Sequence, residues 1–178
     1  MAGTRGALSP KLYTLAAVLA VIIPLDQLTK YWVATHVSPW EPITVIDGLL
    51  RITHARNPGA VFGLAQELPV WIFVLLTVAA LGLIGSFYRS LEADDQRQAL
   101  SLGLILAGAI GNLIDRLTRG EVVDFVQFDL GLFVFPDFNV ADSAIVIGVG
   151  LLLLEMLSQQ ASQKVPEARQ NVQGESDS

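Results

Sequence analysis

Cysteine is missing from all 178 residues. That excludes disulfides, thiolate nucleophiles and thiolate metal sites, although it identifies no compartment. Charge is scarce as well: Asp, Glu, Lys and Arg make up 16% of the chain, below the usual share for a soluble domain. The balance is acidic, at −6, and no basic stripe is present, so nucleic acid is not an expected partner. The sequence has no HExxH zinc helix, no GxSxG elbow and no Ser–Lys peptidase pattern. Its two histidines, His36 and His54, lack metal-ligand spacing, and neither a metal nor a cofactor is expected. No internal repeat with a period of about 20 to 50 residues is present.

What the chain has in quantity is apolar surface. Hydrophobic residues are 52% of the total, and the mean hydropathy is +0.53. They fall into four runs, Leu12–Leu25, Leu68–Tyr88, Ala99–Ile114 and Ala144–Leu154. The second run has 21 residues and no charge, enough to cross a hydrocarbon core of about 30 Å. The other three reach about 17 to 20 residues once a polar end is admitted. The expected architecture is an α-helical membrane protein with four transmembrane helices, over about residues 12–34, 68–88, 99–116 and 139–157. Residues 1–157 form one domain in this reading, and the Gln-, Ser- and Glu-rich residues 158–178 a disordered cytoplasmic tail.

Arg5 and Lys11 ahead of the first run suggest a secretory signal peptide, but DQLTKYW follows where small cleavage-site residues belong. An uncleaved first span is expected. Four spans place both termini on one side. Arg5, Lys11, Arg89, Arg97, Lys164 and Arg169 lie there, against Lys30, Arg51, Arg56, Arg116 and Arg119 opposite. The positive-inside rule favours cytoplasmic termini by that single residue.

The two segments on the other side, 35–67 and 117–138, carry strand patterns. Ile43–Ile46 and Leu49–Thr53 are β-prone and joined by the turn pair Asp47-Gly48. EVVDFVQFDLGLFVFPDF is β-branched and aromatic, with breaks at Gly131 and Pro136. A small antiparallel sheet on the outer membrane face is predicted. Alternation puts Asp124 on one side with Val122, Val126 and Phe128, an odd place for a carboxylate without a task.

The fourth span opens with Asp142, three residues after Asn139 and on the same helical face. A charged aspartate in a span costs about 2.5–3.5 kcal/mol at the helix centre and less near an end. The Ile, Val and Leu residues from Ile145 to Leu154 return about 2–5 kcal/mol, so the span inserts regardless. A carboxylate kept at such cost is a functional candidate, and Asp124 offers it a partner. Two carboxylates held close share a proton. The ionised member can activate water while the neutral one protonates an amide.

Five blocks, in order, carry a resemblance: Asp26-Gln27-Leu28-Thr29-Lys30, Asn57-Pro58-Gly59-Ala60, Gly111-Asn112-Leu113-Ile114-Asp115-Arg116, Val123-Asp124-Phe125 and Phe138-Asn139-Val140-Ala141-Asp142. They resemble the lipoprotein signal peptidase (signal peptidase II) family, bacterial membrane aspartyl peptidases. The family often has paired glycines before the third block, where this chain reads Ala107-Gly108. The resemblance implies Asp124 and Asp142 as the catalytic dyad. It implies a substrate too, the prolipoprotein whose cysteine already bears a diacylglyceryl group, cut just before that cysteine. A bacterial inner-membrane location follows, with membrane lipid as a further partner and a monomer as the working unit.

The remaining motif residues receive supporting roles. Asn139 and its neighbour Ala141 lead into Asp142, which Asn139 is placed to orient. Asn112, Asp115 and Arg116 share a face at i, i+3 and i+4. Asn112 is expected to meet the substrate backbone, and Arg116 to pair with Asp115 or grip a polar group. Asp26 and Lys30 are spaced for a salt bridge. Asn57 and Gly59 are expected in a turn that lets substrate approach the backbone. Gly108 and Gly111 let the third span approach its neighbours. Most of these residues also have a purely structural reading: helix-end anchor, ion pair or packing position. Asp129 and Asp137 are expected to be bystanders. The rival function is a small proton-coupled transporter using Asp142, whose acids ought then to sit near mid-span.

Overall fold

The computed structural model describes residues 9–59 and 68–176, with side chains described as far as residue 158. Among the described residues, four helices are long and apolar enough to cross a membrane. The first, α1 (Pro10–His36), starts with proline at its first turn, where the missing N–H costs nothing. Then come β1 (Ile43–Ile46), β2 (Leu50–Asn57), α2 (Val70–Ser90), α3 (Gln96–Arg119), β3 (Val122–Phe128) and α4 (Val140–Ser176). The spanning part of α4 is Val140–Ser158, and the helix runs on to Ser176. Composition predicts disorder there. The Gln, Ala, Glu, Lys and Arg of that stretch are nevertheless residues that a helical backbone accepts readily.

Helix α3 is the centre of the bundle, in contact with α1, α2 and α4. Its buried stripe passes through Gly108, Gly111, Asn112 and Asp115, a spacing that keeps one face inward. Small residues on this stripe let α4 lie close. A Cβ added to Gly111 would stand 2.6 Å from Asp26 Oδ2 and 3.2 Å from Ala141 Cβ, and one at Gly108 would collide with the Ala141 carbonyl. Helix α2 is peripheral, burying only Tyr88.

The strands form one antiparallel sheet in the order β1-β2-β3, at the end of the bundle where α1 and α3 finish and α4 begins. The turn at Asp47-Gly48 joins β1 to β2 as its residues require, with Gly48 at φ 67°. Strand β2 is longer than its β-prone core, because polar Thr53–Asn57 continue to pair with β3, Ala55 facing Asp124 and Asn57 facing Val122. Asn57 is the last residue of the strand, and its side chain opens the turn that follows by accepting from the Gly59 N–H. Alternation along β3 holds, but both faces are covered. Val123 and Phe125 pack on Val33 and Val37 at the end of α1, while Val122 and Asp124 are equally buried on the other side.

Candidate active site

Three elements converge where the sheet meets the bundle. Helix α4 begins at Val140, immediately after Asn139, and its first turn is closed by a reciprocal cap. Asn139 Oδ1 accepts from the Asp142 N–H at 2.9 Å, and Asp142 Oδ2 accepts from the Asn139 N–H at 3.1 Å. This is a capping box built from Asn and Asp. It explains how a carboxylate is tolerated at the mouth of a membrane helix: it satisfies an otherwise orphaned donor and faces the positive end of the helix dipole.

The same Asn139 side chain reaches the second carboxylate. Its Nδ2 donates to Asp124 Oδ1 at 2.7 Å, with longer contacts to Asn112 Oδ1 at 3.2 Å and the Val123 carbonyl at 3.4 Å. Asp124 Oδ2 accepts from Asn57 Nδ2 at 3.0 Å, and Asp142 Oδ1 from Asn112 Nδ2 at 2.8 Å. Each of the four carboxylate oxygens thus receives one N–H donor, three from side-chain amides and one from the backbone. Burial pushes the Asp124 carboxyl from 3.8 up to about 6. The Asn57 hydrogen bond opposes that rise, the Asp142 charge adds to it, and Asn139 and Lys30 pull the other way. A carboxyl of this kind exchanges its proton near neutral pH, as acid–base catalysis requires.

Behind the pair lies a buried polar cluster. The Lys30 ammonium donates to Asp26 Oδ2 at 2.9 Å, Asp115 Oδ2 at 3.0 Å and Asn112 Oδ1 at 3.0 Å, and none of Lys30, Asp26 and Asp115 is exposed at all. Asp26 Oδ1 accepts from the Ala141 N–H at 2.9 Å, which ties span one to the first turn of α4. Ala141 must be small, since its Cβ abuts Gly111. The expected Asp26–Lys30 bridge is present. The expected Asp115–Arg116 pair is not, because successive helix residues point about 100° apart. Asp115 instead pairs with Lys30 and, one turn on, with Arg119 at 2.5 Å. Arg116 lies over the Phe73 ring at 5.7 Å, and its charge acts on Asp142 and Asp124. Its Nε is buried with no hydrogen-bond partner among the described residues.

Asn112 is engaged on both ends of its amide, its oxygen by Lys30 and Asn139 and its amino group by Asp142. Gly59 lies just beyond β2 at φ 122°, a conformation L side chains rarely adopt, and its N–H donates to Asn57 Oδ1 at 2.9 Å. That bond turns the Asn57 amino group toward Asp124. The expectations for Ala60 to Glu67 fall outside the described residues.

Two contributors went unassigned in the sequence. Arg119 carried a legible signal, four residues after Asp115. Gln27 stands in the first motif block, but its spacing from Asp26 gives no pairing signal, since adjacent residues point to different sides of the helix. It bends its amide to Asp26 Oδ2 at 3.0 Å, the Gly111 carbonyl at 3.1 Å and Asp115 Oδ1 at 3.3 Å. Asp129 pairs with Arg51 at 2.6 Å, and Asp137 accepts from Gln127 at 2.8 Å and Thr53 at 3.1 Å. Asp142 also borders an apolar cavity of about 380 Å³, lined by Phe135, Phe138, Ser143, Val146 and Ile147.

A family model described as signal peptidase (SPase) II matches residues 18–158. A lipoprotein signal peptidase of Halalkalibacterium halodurans is 46% identical over 149 residues, covering 83% of this chain and 94% of its own. One from Syntrophus aciditrophicus is 42% identical over 144 residues, covering 79% and 89%. A bacterial membrane enzyme solved by the in meso method at 2.3 Å superposes with a TM-score of 0.77 at 33% identity, over 84% of this chain and 91% of that one. A second, solved at 1.9 Å, gives 0.73 at 35% identity, over 82% and 93%.

Proposed function

The chain belongs to the signal peptidase II family, and on that footing we propose that it is a membrane aspartyl endopeptidase. It removes the signal peptide from diacylglyceryl-modified prolipoproteins by cutting just before the lipidated cysteine, with Asp124 and Asp142 as the catalytic pair. The observation that carries this reading is Asn139, one side chain that binds Asp124 and caps the turn holding Asp142. A single amide between two aspartates from different elements fixes their mutual placement, as a shared water requires.

In the reaction, the ionised member takes a proton from water, whose oxygen bonds to the scissile carbonyl carbon. The neutral member gives its proton to the departing amide nitrogen as the C–N bond breaks. Arg116, whose charge already acts on both aspartates, is placed to hold a polar group of the substrate. The apolar cavity bordering Asp142 suits a substrate that remains in lipid.

The site lies at the end of the bundle opposite both helix ends that lead to the termini, so cytoplasmic termini put it at the outer face of the inner membrane. The working unit in this reading is a monomer. A proton-coupled transporter fits less well, because Asp115 and Asp142 lie near the ends of α3 and α4 and not at their middle.

The deciding experiment incubates purified protein with a diacylglyceryl-modified precursor and with its unlipidated form. Cleavage of the first alone supports both the reaction and the substrate class. Cleavage of both removes the lipid requirement, and cleavage of neither ends the peptidase reading.

A further inference from the structure

The Lys30 ammonium is wholly buried, and the hydrolysis described above gives it no task. Two of its N–H groups serve Asp26 and Asp115, and Arg119 also pairs with Asp115. Two cations thus balance two carboxylates, a cluster that would serve only the fold if it stopped there. The third Lys30 N–H leaves the cluster and goes to Asn112 Oδ1 at 3.0 Å.

That bond has a direction. An ammonium can only donate, so the edge of Asn112 facing it must be the oxygen. Asn139 Nδ2 donates to the same oxygen. The amino group of Asn112 is thereby turned to Asp142 Oδ1, at 2.8 Å. The other Asp142 oxygen accepts from a backbone N–H at the α4 N-terminus, where the helix dipole favours negative charge. Asp124 differs. It lies on a strand, with no helix terminus behind it, and its amide donors are pinned by the N–H groups of Gly59 and Asp142, not by a cation.

We propose that Lys30 is a positioning residue for the reaction: through Asn112 it holds Asp142 as the ionised, water-activating member of the pair and so leaves the shared proton on Asp124. The inference rests on the hydrolytic reading above and divides its roles. Asp142 removes the proton from water while the water oxygen joins the carbonyl carbon. Asp124 delivers its proton to the nitrogen as the C–N bond breaks. The pair ends with one proton on Asp142, and exchange through water returns it to Asp124. The charged groups acting on Asp142 are Lys30 and Asp26 from α1, Arg116 from α3 and Asp124 from β3.

The test compares a charge-balanced double variant, Lys30→Gln with Asp26→Asn, against Asp26→Asn alone and the unaltered protein, each as full chain in lipid. With Lys30 gone, the Asn112 oxygen keeps the longer Asn139 contact at 3.2 Å but loses its obligate cationic donor, so the amide can turn that oxygen toward Asp142, which opposes ionisation. The acid limb of kcat/KM on the lipidated precursor is expected to move up by about one pH unit in the double variant only. Adding Lys30→Gln and Asp26→Asn to Asn112→Ala is expected to move it no further. A lower rate with the acid limb unmoved, or a further shift in the Asn112→Ala background, overturns the proposal. Infrared spectroscopy without substrate gives a second reading that survives a double variant unable to fold. The carboxylic acid C=O band of the pair at about pH 5, below the Asp124 value of about 6, should vanish in Asp124→Asn and persist in Asp142→Asn, and the reverse overturns the assignment. Absence of cleavage by the unaltered protein would instead count against the peptidase reading, while the infrared result would still locate the proton.

Discussion

Asn139 and Asp142 cap one another: the side chain of each accepts from the backbone N–H of the other, at 2.9 and 3.1 Å. The Asn139 amino group is left over and binds Asp124. One residue therefore both starts the fourth helix and spaces the two acids. Replacing Asn139 by Ala removes cap and spacer together, and a loss of about 1 kcal/mol in stability is expected with a fall in rate of about a hundredfold or more. Asn139→Asp preserves the cap but sets a third carboxylate against Asp124. It is expected to remain folded, by thermal unfolding in detergent, and to be inactive on the lipidated precursor.

Removing either acid should stop the chemistry. Asp124→Asn and Asp142→Asn are each expected to lower kcat by about a thousandfold or more while the protein stays folded and inserted. Precursor cleavage followed by gel shift checks the rate, and unfolding in detergent checks the fold. Normal turnover by either variant removes that residue from the dyad.

The nearby acids should be dispensable. Asp129 serves Arg51 on the partly exposed sheet, and Asp137 serves Thr53 and Gln127. Asp129→Asn and Asp137→Asn are expected to change kcat/KM by less than about threefold, since partly exposed pairs of this kind contribute little. A dead Asp137 variant would mean that the wrong carboxylate of that block had been chosen.

Stability should report the Asp124 proton. Its carboxyl is raised from 3.8 to about 6 in the folded protein, so the folded state binds that proton more tightly than the unfolded state. The group's contribution is fully present below pH 3.8 and is lost as pH rises through about 6, a change of roughly 3 kcal/mol at most. Relative to Asp124→Asn, the unaltered protein should therefore lose unfolding temperature between about pH 4 and pH 6. A difference that stays flat over this range would show that Asp124 is not protonated in the folded state.

Close helix approach gives a contrast among glycines. Gly111→Ala presses a methyl against the Asp26 carboxylate and Ala141, and is expected to cost about 1–3 kcal/mol and to impair cleavage. Gly82→Ala and Gly85→Ala on the peripheral α2 meet nothing within 4 Å among the described residues and are expected to be neutral or mildly stabilising, by at most about 1 kcal/mol. Unfolding midpoints of the three variants in one detergent decide it.

Orientation can be read by labelling, because the chain has no cysteine of its own. Cysteines introduced at Gly48 and Asp94 lie at opposite ends of the bundle. An impermeant thiol reagent is expected to reach only the first in intact cells.

The four apolar helices, the hairpin at Asp47-Gly48, the third strand and the acids that gather at the candidate site were legible in the linear chain. Length, apolar content and turn residues act locally, and a carboxylate among aliphatic residues is conspicuous because lipid makes it expensive. Pairing partners were a different matter. Spacing marked Asp26 with Lys30 correctly. It misassigned Asp115, whose two cations come from the next turn and from another helix. It gave no sign that Asn57 would end a strand and donate to Asp124, or that Gln27 would reach across to α3. A hydrogen bond runs between side chains tens of residues apart, and its direction depends on which edge of an amide faces an obligate donor. That is settled only when α1, α3, β3 and α4 close around Asn112 and Asn139, so the polar wiring behind the two aspartates belongs to the tertiary structure alone.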